Sequence, residues 1–248
     1  MNPTELLSLG LRDAVVVVVG GHGDIGSAVC RQSAELGAVV IAASRRGGDP
    51  TVRASSQWES LAIDVTSTPS VRSAVELIDR KHGRIDVLVN AAGTTATVPA
   101  AELHRLSDDV VDDVMASNVA GAIRLVRESL PLLRRAQNPA VISISSVAAR
   151  TGLGSNTAYG GAKAALDAMI VSWAKALAPV RFVNVAPSAL ANDFVPGRPA
   201  EFLARTVSAT PLQRLATADE VAAAVLVAAR ALPMTTGVTI AVDGGRHL

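Results

Sequence analysis

Seven short apolar runs constrain the chain most: Val15 to Val19, Val39 to Ala42, Leu61 to Val65, Ile85 to Val89, Val141 to Ile144, Phe182 to Val185 and Val238 to Val242. The first is five consecutive valines, which suit a strand covered on both faces, because on a one-sided strand every second side chain would meet water. Most of the segments between the runs carry apolar residues at helical period. Strands alternating with helices predict a single-domain doubly wound parallel sheet, an α/β Rossmann-like fold with helices on both faces. At 248 residues and 49% apolar content the chain can bury one large core. No repeat or Pro/Gly/Ser-rich linker divides it, so residues 1–248 are expected to form one domain. The crossover from Gly47 to Ser60, GGDPTVRASSQWES, has two glycines, a proline and no apolar stripe. Its helix is expected to be shortened or lost.

Charge and cysteine content exclude several classes. A net charge of +1 offers no field for nucleic acid or an anionic membrane surface. One cysteine, Cys30, cannot build an internal disulfide framework, which fits a reducing compartment. Four scattered histidines give no metal-ligand cluster, so no metal site is expected. The N-terminal stretch lacks the basic region and cleavage site of a secretion signal, and no run reaches the roughly eighteen apolar residues of a membrane span. A cytoplasmic protein is expected.

After the first strand comes GGHGDIG, Gly20 to Gly26, and then a helical pattern. Read literally, Gly21, Gly23 and Gly26 form G-x-G-x-x-G. A glycine-rich turn from strand to helix lets backbone amides approach a pyrophosphate at the positive end of the helix. The loop residues Gly20, His22, Gly23, Asp24, Ile25 and Gly26 are therefore expected to hold a dinucleotide. The second strand ends in AASRR, with Ser44 where an acidic residue would accept from a ribose 2′-hydroxyl, followed by Arg45 and Arg46. Guanidinium groups bind phosphate in a forked, charge-assisted geometry. The sign favours NADP(H) over NAD(H).

The stretch from Val141 to Lys163, VISISSVAARTGLGSNTAYGGAK, carries the chemistry. Tyr159 and Lys163 stand four apart, on one face of a helix. An ammonium beside a phenol favours the phenolate, and a phenol with an ordinary pKa of about 10 needs such help to exchange protons near neutrality. Ser146 adds a hydroxyl for the same reacting oxygen. Tyr159 is the chain's single tyrosine, and only Lys81, Lys163 and Lys175 of its 23 basic residues are lysines, so chance is a poor account of the pair. A serine thirteen residues before Tyr-x-x-x-Lys resembles the active site of the short-chain dehydrogenase/reductase family.

That resemblance spans essentially the whole chain and implies further roles. Gly20 and Gly26 match the family's cofactor loop, with Asp24 in place of its middle glycine and Val19 in place of a threonine. Asp64 and Val65 are similar to the pair that contacts the adenine. Val89 to Gly93, VNAAG, resembles the Asn-Asn-Ala-Gly motif, which puts Asn90, Ala91 and Gly93 on the adenosine side. Asn118 is similar to the asparagine that holds a relay water toward the active-site lysine. Pro187, Ser188 and Leu190 resemble the segment that closes over the nicotinamide, with Ser188 in place of a glycine and Asn192 in place of a threonine. The resemblance counts Tyr159 and Lys163 among the cofactor contacts as well, Lys163 through the nicotinamide ribose. Residues 189–209 are the expected substrate lid, with Phe194, Phe202, Leu203 and Val207 as apolar surface and Arg198 and Arg205 for an anionic group. The alanine-rich helix from Ala162 to Ala178 is the expected subunit contact of a homotetramer.

Together these readings predict an NADP(H)-dependent oxidoreductase acting on a small-molecule ketone or secondary alcohol. Asn118, Ser146, Tyr159 and Lys163 are its catalytic set. Two alternatives stay open. A 3-oxoacyl-thioester reductase would use Arg124, Arg127, Arg134 and Arg135 to dock an acidic carrier protein. A non-catalytic dinucleotide-binding sensor or assembly protein would account for Asp24, Ser188 and Asn192.

Overall fold

The structure, a computed structural model, describes residues 11–47, 57–192, 194–195 and 200–248. The valine run Val15–Val19 is β1 and is buried throughout. Its side chains divide by strand alternation: Val16 and Val18 pack in one apolar layer, and Val15, Val17 and Val19 in the layer on the other face. The remaining strands are β2 (Val39–Ser44), β3 (Glu59–Ala62), β4 (Val87–Asn90), β5 (Ala140–Ile144), β6 (Arg181–Pro187) and β7 (Val238–Val242). They form one seven-stranded sheet in the order β3-β2-β1-β4-β5-β6-β7, every neighbouring pair parallel. The expected Rossmann-like sheet is the observed one.

Helices α1 (Asp24–Glu35), α2 (Thr68–His82), α3 (Asp108–Met115), α4 (Gly121–Leu133), α5 (Ala148–Thr151), α6 (Thr157–Ala176), α7 (Ala200–Ser208) and α8 (Ala218–Leu226) connect the strands. Several begin on side-chain caps that satisfy first-turn amides. Ser67 caps α2, Ser107 caps α3, Asn156 caps α6, and Thr217 with Glu220 forms a capping box on α8. Buried Arg181, at the start of β6, donates to the carbonyls of Ala228, Ala229 and Leu232. A cation thereby satisfies the carboxyl-terminal end of the helical segment that follows α8.

Element boundaries depart from the sequence expectation in places, each for a local reason. The third strand was expected at Leu61 to Val65 but occupies Glu59–Ala62. There the Asp64 carboxylate accepts from the amide and hydroxyl of Thr66, a turn that ends the ladder. The alanine-rich helix starts at Thr157, five residues before the expected Ala162, and its last residue is Ala176. Asn156 sets the early start. Residues 48–56 of the second crossover lie outside the described residues.

The sheet order reverses beside β1: β2 and β3 extend to one side, and β4 to β7 to the other. Crevices at the carboxyl ends of strands open at such a reversal. Gly20, Asn90, Ser145 and Ser188 lie at or just past the carboxyl ends of β1, β4, β5 and β6.

Candidate active site

The turn after β1 is possible only with glycine at particular positions. Gly20 has φ +85°, and a Cβ there would meet the Ala91 carbonyl oxygen at 2.6 Å. A Cβ on Gly26 would run into the backbone oxygen of Gly20. The chain therefore folds tightly back against the start of α1, leaving the helix's first-turn amides without intrahelical partners. Gly23 occupies the N-cap without a side-chain bond, and Asp24 is the first helical residue. Asp24 is exposed, and it does not cap the helix. An alanine at Gly26 must displace the Gly20 backbone. Gly26→Ala is expected to cost about 1–3 kcal/mol, lowering Tm by roughly 5 °C at this chain length; a thermal scan showing an unchanged Tm would mean that the turn yields freely.

Beside this loop, the imidazole of His22 bridges Ser44 Oγ at 2.9 Å and Ser60 Oγ at 3.2 Å, tying the turn to the end of β2 and to β3. Burial, and then the charge of Arg46, hold its pKa below the ordinary histidine value. Arg45 and Arg46 are exposed just past β2. Partial burial tends to raise the Asp64 pKa, but hydrogen bonds from Thr66 and the charges of Arg45 and Arg124 bring it below the ordinary value. Ser44, Arg45, Arg46, His22 and Asp64 thus belong to one end of the crevice. Val65 is buried in the core and packs against Gly121.

The other end is built from β4, β5 and the α3–α4 helix. Asn90 is buried at the end of β4, and its Oδ1 accepts from the amide of Ala92 at 3.3 Å. Between α3 and α4 the helix widens into one π turn, Ala116–Ala120, with Asn118 inside it. The Asn118 Nδ2 donates to Val114 O and Thr94 O, both at 2.9 Å. A side chain that competes for a carbonyl one turn back accounts for the widening. The Asn118 Oδ1 is buried and has no hydrogen-bond partner among the described residues. It faces Gly93, where a Cβ would lie 2.5 Å from it and 3.7 Å from Lys163 Nζ.

Helix α6 presents Tyr159 and Lys163 to the same place. Lys163 is 4% exposed and donates to Ile144 O at 2.8 Å. Its Nζ lies 5.5 Å from the centroid of the Tyr159 ring. Burial pulls the ammonium pKa down to about 8, against the opposing charge of Asp167 one turn along the helix. Asp167 is itself held by Asn184 Nδ2 at 2.8 Å. Tyr159 is half-buried, with the Phe194 ring 6.1 Å from its own. Ser146 stands two residues past β5, its Oγ accepting from Ala148 N at 3.1 Å. Across from it, the Pro187 carbonyl accepts from Val147 N, and Ser188 and Leu190 are buried.

The residues fit a dinucleotide: a glycine-built cradle lies at one end, and a buried acceptor without a partner, Asn118 Oδ1, lies beside a buried cation at the other. Among the described residues no group of three His, Cys, Asp or Glu side chains could hold a metal. No described helix is long and apolar enough to cross a membrane.

Residues 21–247 match the family model described as enoyl-(acyl carrier protein) reductase. The chain is 32% identical to cis-4-hydroxycyclohexanecarboxylate dehydrogenase of Sinomonas cyclohexanicum, over 94% of this chain and 96% of that one. It is 30% identical to the 3-oxoacyl-(acyl-carrier-protein) reductase FabG of Thermotoga maritima, over 95% and 98%. The chain belongs to the short-chain dehydrogenase/reductase family. A solved member, the short-chain glucose/ribitol dehydrogenase of Brucella melitensis, superimposes with a TM-score of 0.87 at 26% identity, covering 96% of this chain and 98% of its own. Membership makes the protein an oxidoreductase.

Not every polar group of this short-chain dehydrogenase/reductase site was expected. Ser60, Thr95, Ser155, Asn156 and the Asp167–Asn184 pair have no role in the sequence reading, yet all make contacts around the crevice. Only Asn156 left a signal: an asparagine directly before a helical run is a start mark. Arg198 lies outside the described residues.

Proposed function

We propose that the protein is an NADP(H)-dependent oxidoreductase that interconverts a ketone and a secondary alcohol, with residues 1–248 as one catalytic unit and 189–209 as its substrate lid. The observation that carries this reading is the meeting of a buried lysine, a half-buried tyrosine and an unpartnered asparagine oxygen at the carboxyl ends of β4 and β5. The bound nicotinamide cofactor supplies hydride chemistry. Gly20 to Gly26 would hold its pyrophosphate, Arg45 and Arg46 its 2′-phosphate, Asp64 and Asn90 its adenosine side, and Pro187, Ser188 and Leu190 its nicotinamide end.

The chain's own groups handle the proton. Tyr159 gives a proton to the carbonyl oxygen in reduction and recovers it in oxidation. Ser146 donates to that same oxygen. Lys163 has one donor engaged by Ile144 O, and its two remaining donors would hold the nicotinamide ribose and serve the proton path. Its charge favours the phenolate of Tyr159. Asn118 Oδ1 would accept from a water joining Lys163 to solvent and so complete the relay. Preorganised donors at a developing alkoxide supply much of the rate. Phe194 beside Tyr159 supports an apolar flank on the substrate.

A 3-oxoacyl-thioester substrate is the second reading, favoured by the Thermotoga relative. Of the four arginines expected to meet a carrier, Arg124 turns inward to the carbonyls of Val65 and Ala116, whereas Arg127, Arg134 and Arg135 are exposed, Arg127 beside Glu128 and Arg135 beside Asp79. On family grounds we read a cytoplasmic homotetramer, which light scattering on a sizing column checks.

Fluorescence titration with NADPH and NADH tests the cofactor assignment. Arg45→Ala is expected to weaken NADPH about tenfold, the effect of one charge-assisted bond of roughly 1.5 kcal/mol, and to leave NADH unchanged. A wild type that prefers NADH overturns the phosphate assignment. Absence of binding by either cofactor overturns the cofactor assignment altogether.

A further inference from the structure

The loop that leaves β4 crosses in front of the active-site helix and is tied at both ends. At Gly93 the side-chain position faces Asn118 Oδ1 and Lys163 Nζ so closely that a Cβ would not fit. One residue on, Thr94 O accepts from Asn118 Nδ2. At the far end Asn156 Nδ2 donates to Ala96 O at 2.8 Å and to Thr95 Oγ1 at 3.2 Å. Thr95 Oγ1 also shares a hydrogen bond with Ser155 Oγ, and Val98 N donates to Ser155 O at 2.9 Å. The loop from Gly93 to Val98 is a strap laid over the start of α6.

Asn156 does two things at once. While Nδ2 holds the strap, Oδ1 accepts from the backbone amide of Tyr159 at 2.8 Å. The orientation of the amide is fixed chemically, because Tyr159 N–H can only donate and Ala96 O can only accept. The side chain is 4% exposed, so bulk water does not replace either bond. Capping alone would be served as well by serine or aspartate. Neither could also donate to Ala96 O from the same place: serine is too short, and an ionised aspartate has no proton.

Building on the oxidoreductase reading, we propose that Asn156 is a positioning residue for the reaction, fixing Tyr159 and Lys163 together against Asn118 by tying the start of α6 to the strap. The strap carries the Gly93 and Thr94 backbone against Asn118, and α6 carries both Tyr159 and Lys163, so one amide sets the spacing between the two halves of the proton path. Small displacements of reacting groups are costly: about 1 Å can lower a rate about a hundredfold.

Asn156→Ser keeps the cap and removes the tie. It is expected to lower kcat roughly tenfold to a hundredfold, with NADPH affinity within about twofold of wild type and Tm lower by roughly 3–8 °C, because Ala96 O loses its buried donor. Thr95→Val, which weakens the strap from the other side, is expected to lower kcat several-fold, and to add little in the Asn156→Ser background, because both remove one connection. Hydrogen exchange gives a readout independent of turnover: in Asn156→Ser the Tyr159 amide stays protected, while the Val98 amide exchanges faster. A kcat for Asn156→Ser within twofold of wild type overturns the role. So does loss of Tyr159 amide protection alongside the lost turnover, since the cap alone would then explain the defect. A wild type without turnover on any carbonyl substrate removes the oxidoreductase reading itself and this role with it, whereas an active wild type with unaffected variants removes only the role.

Discussion

Tyr159→Phe is expected to lower turnover about 10²–10⁴-fold, the usual contribution of a positioned proton donor, while stability and NADPH affinity change little. The substitution deletes one oxygen and keeps the ring. The aromatic contact with Phe194 and the Asn156 bond to the residue 159 amide both survive it. Packing around the helix start is therefore unaltered, and the loss reads the hydroxyl alone. Steady-state kinetics with an established ketone, together with a cofactor titration and a thermal scan on the same preparation, separate the effects. Full turnover in the variant would sink the assignment of Tyr159. A fall in Tm beyond a few degrees would show that the phenol also holds the fold.

Lys163→Met combines a catalytic loss with a pH-dependent change in stability. Turnover is expected to drop about a hundredfold or more, because the variant lacks the charge beside Tyr159 and the link to the relay. The stability effect follows from burial. The folded ammonium titrates at about 8, below its ordinary 10.5, chiefly because it is shut away from water. Between those two values the unfolded chain binds more protons than the folded one, so wild-type stability rises with pH across the window. Below pH 8 the penalty for burying the charge is fully present, at roughly 3 kcal/mol. The difference in unfolding free energy between wild type and Lys163→Met should therefore move by roughly 2–3 kcal/mol in favour of wild type from pH 7 to pH 10. The lost bond to Ile144 O, worth about 1 kcal/mol, offsets the level of that difference and leaves its slope unchanged. Urea unfolding of both proteins at several pH values checks this. A flat difference would mean that Lys163 keeps an ordinary pKa, through water or a closer counter-charge.

The sites differ in how far the sequence alone foretold them. Tyr159 and Lys163 could be placed together because helical spacing is local: four residues on a helix make one turn wherever the helix lies. The glycines after β1 were legible for a similar reason, since a tight strand-to-helix turn demands them in place. By contrast, the approach of Gly93 to Lys163, seventy residues apart, has no local signature. The same holds for His22 with Ser60 and for Asp167 with Asn184. Boundaries failed where a side chain overrode the pattern. Asp64 closed a turn on Thr66 where the apolar run still read as strand, and Asn156 started α6 five residues early.

What the sequence determined by itself is the order and type of the elements, the doubly wound class, and the residue types able to do proton chemistry. Periodicity and turn chemistry act over a few residues, and a chain carries that information wherever it is read. Tertiary structure alone decided which of those groups meet: that Asn118 presents an unpartnered oxygen beside Gly93, that Lys163 is buried deeply enough to lose much of its basicity, and that Asn156 ties the strap to Tyr159. Each depends on strands brought side by side from distant parts of the chain, and on the exclusion of water that follows, because desolvation and long-range hydrogen bonds exist only once the sheet has closed.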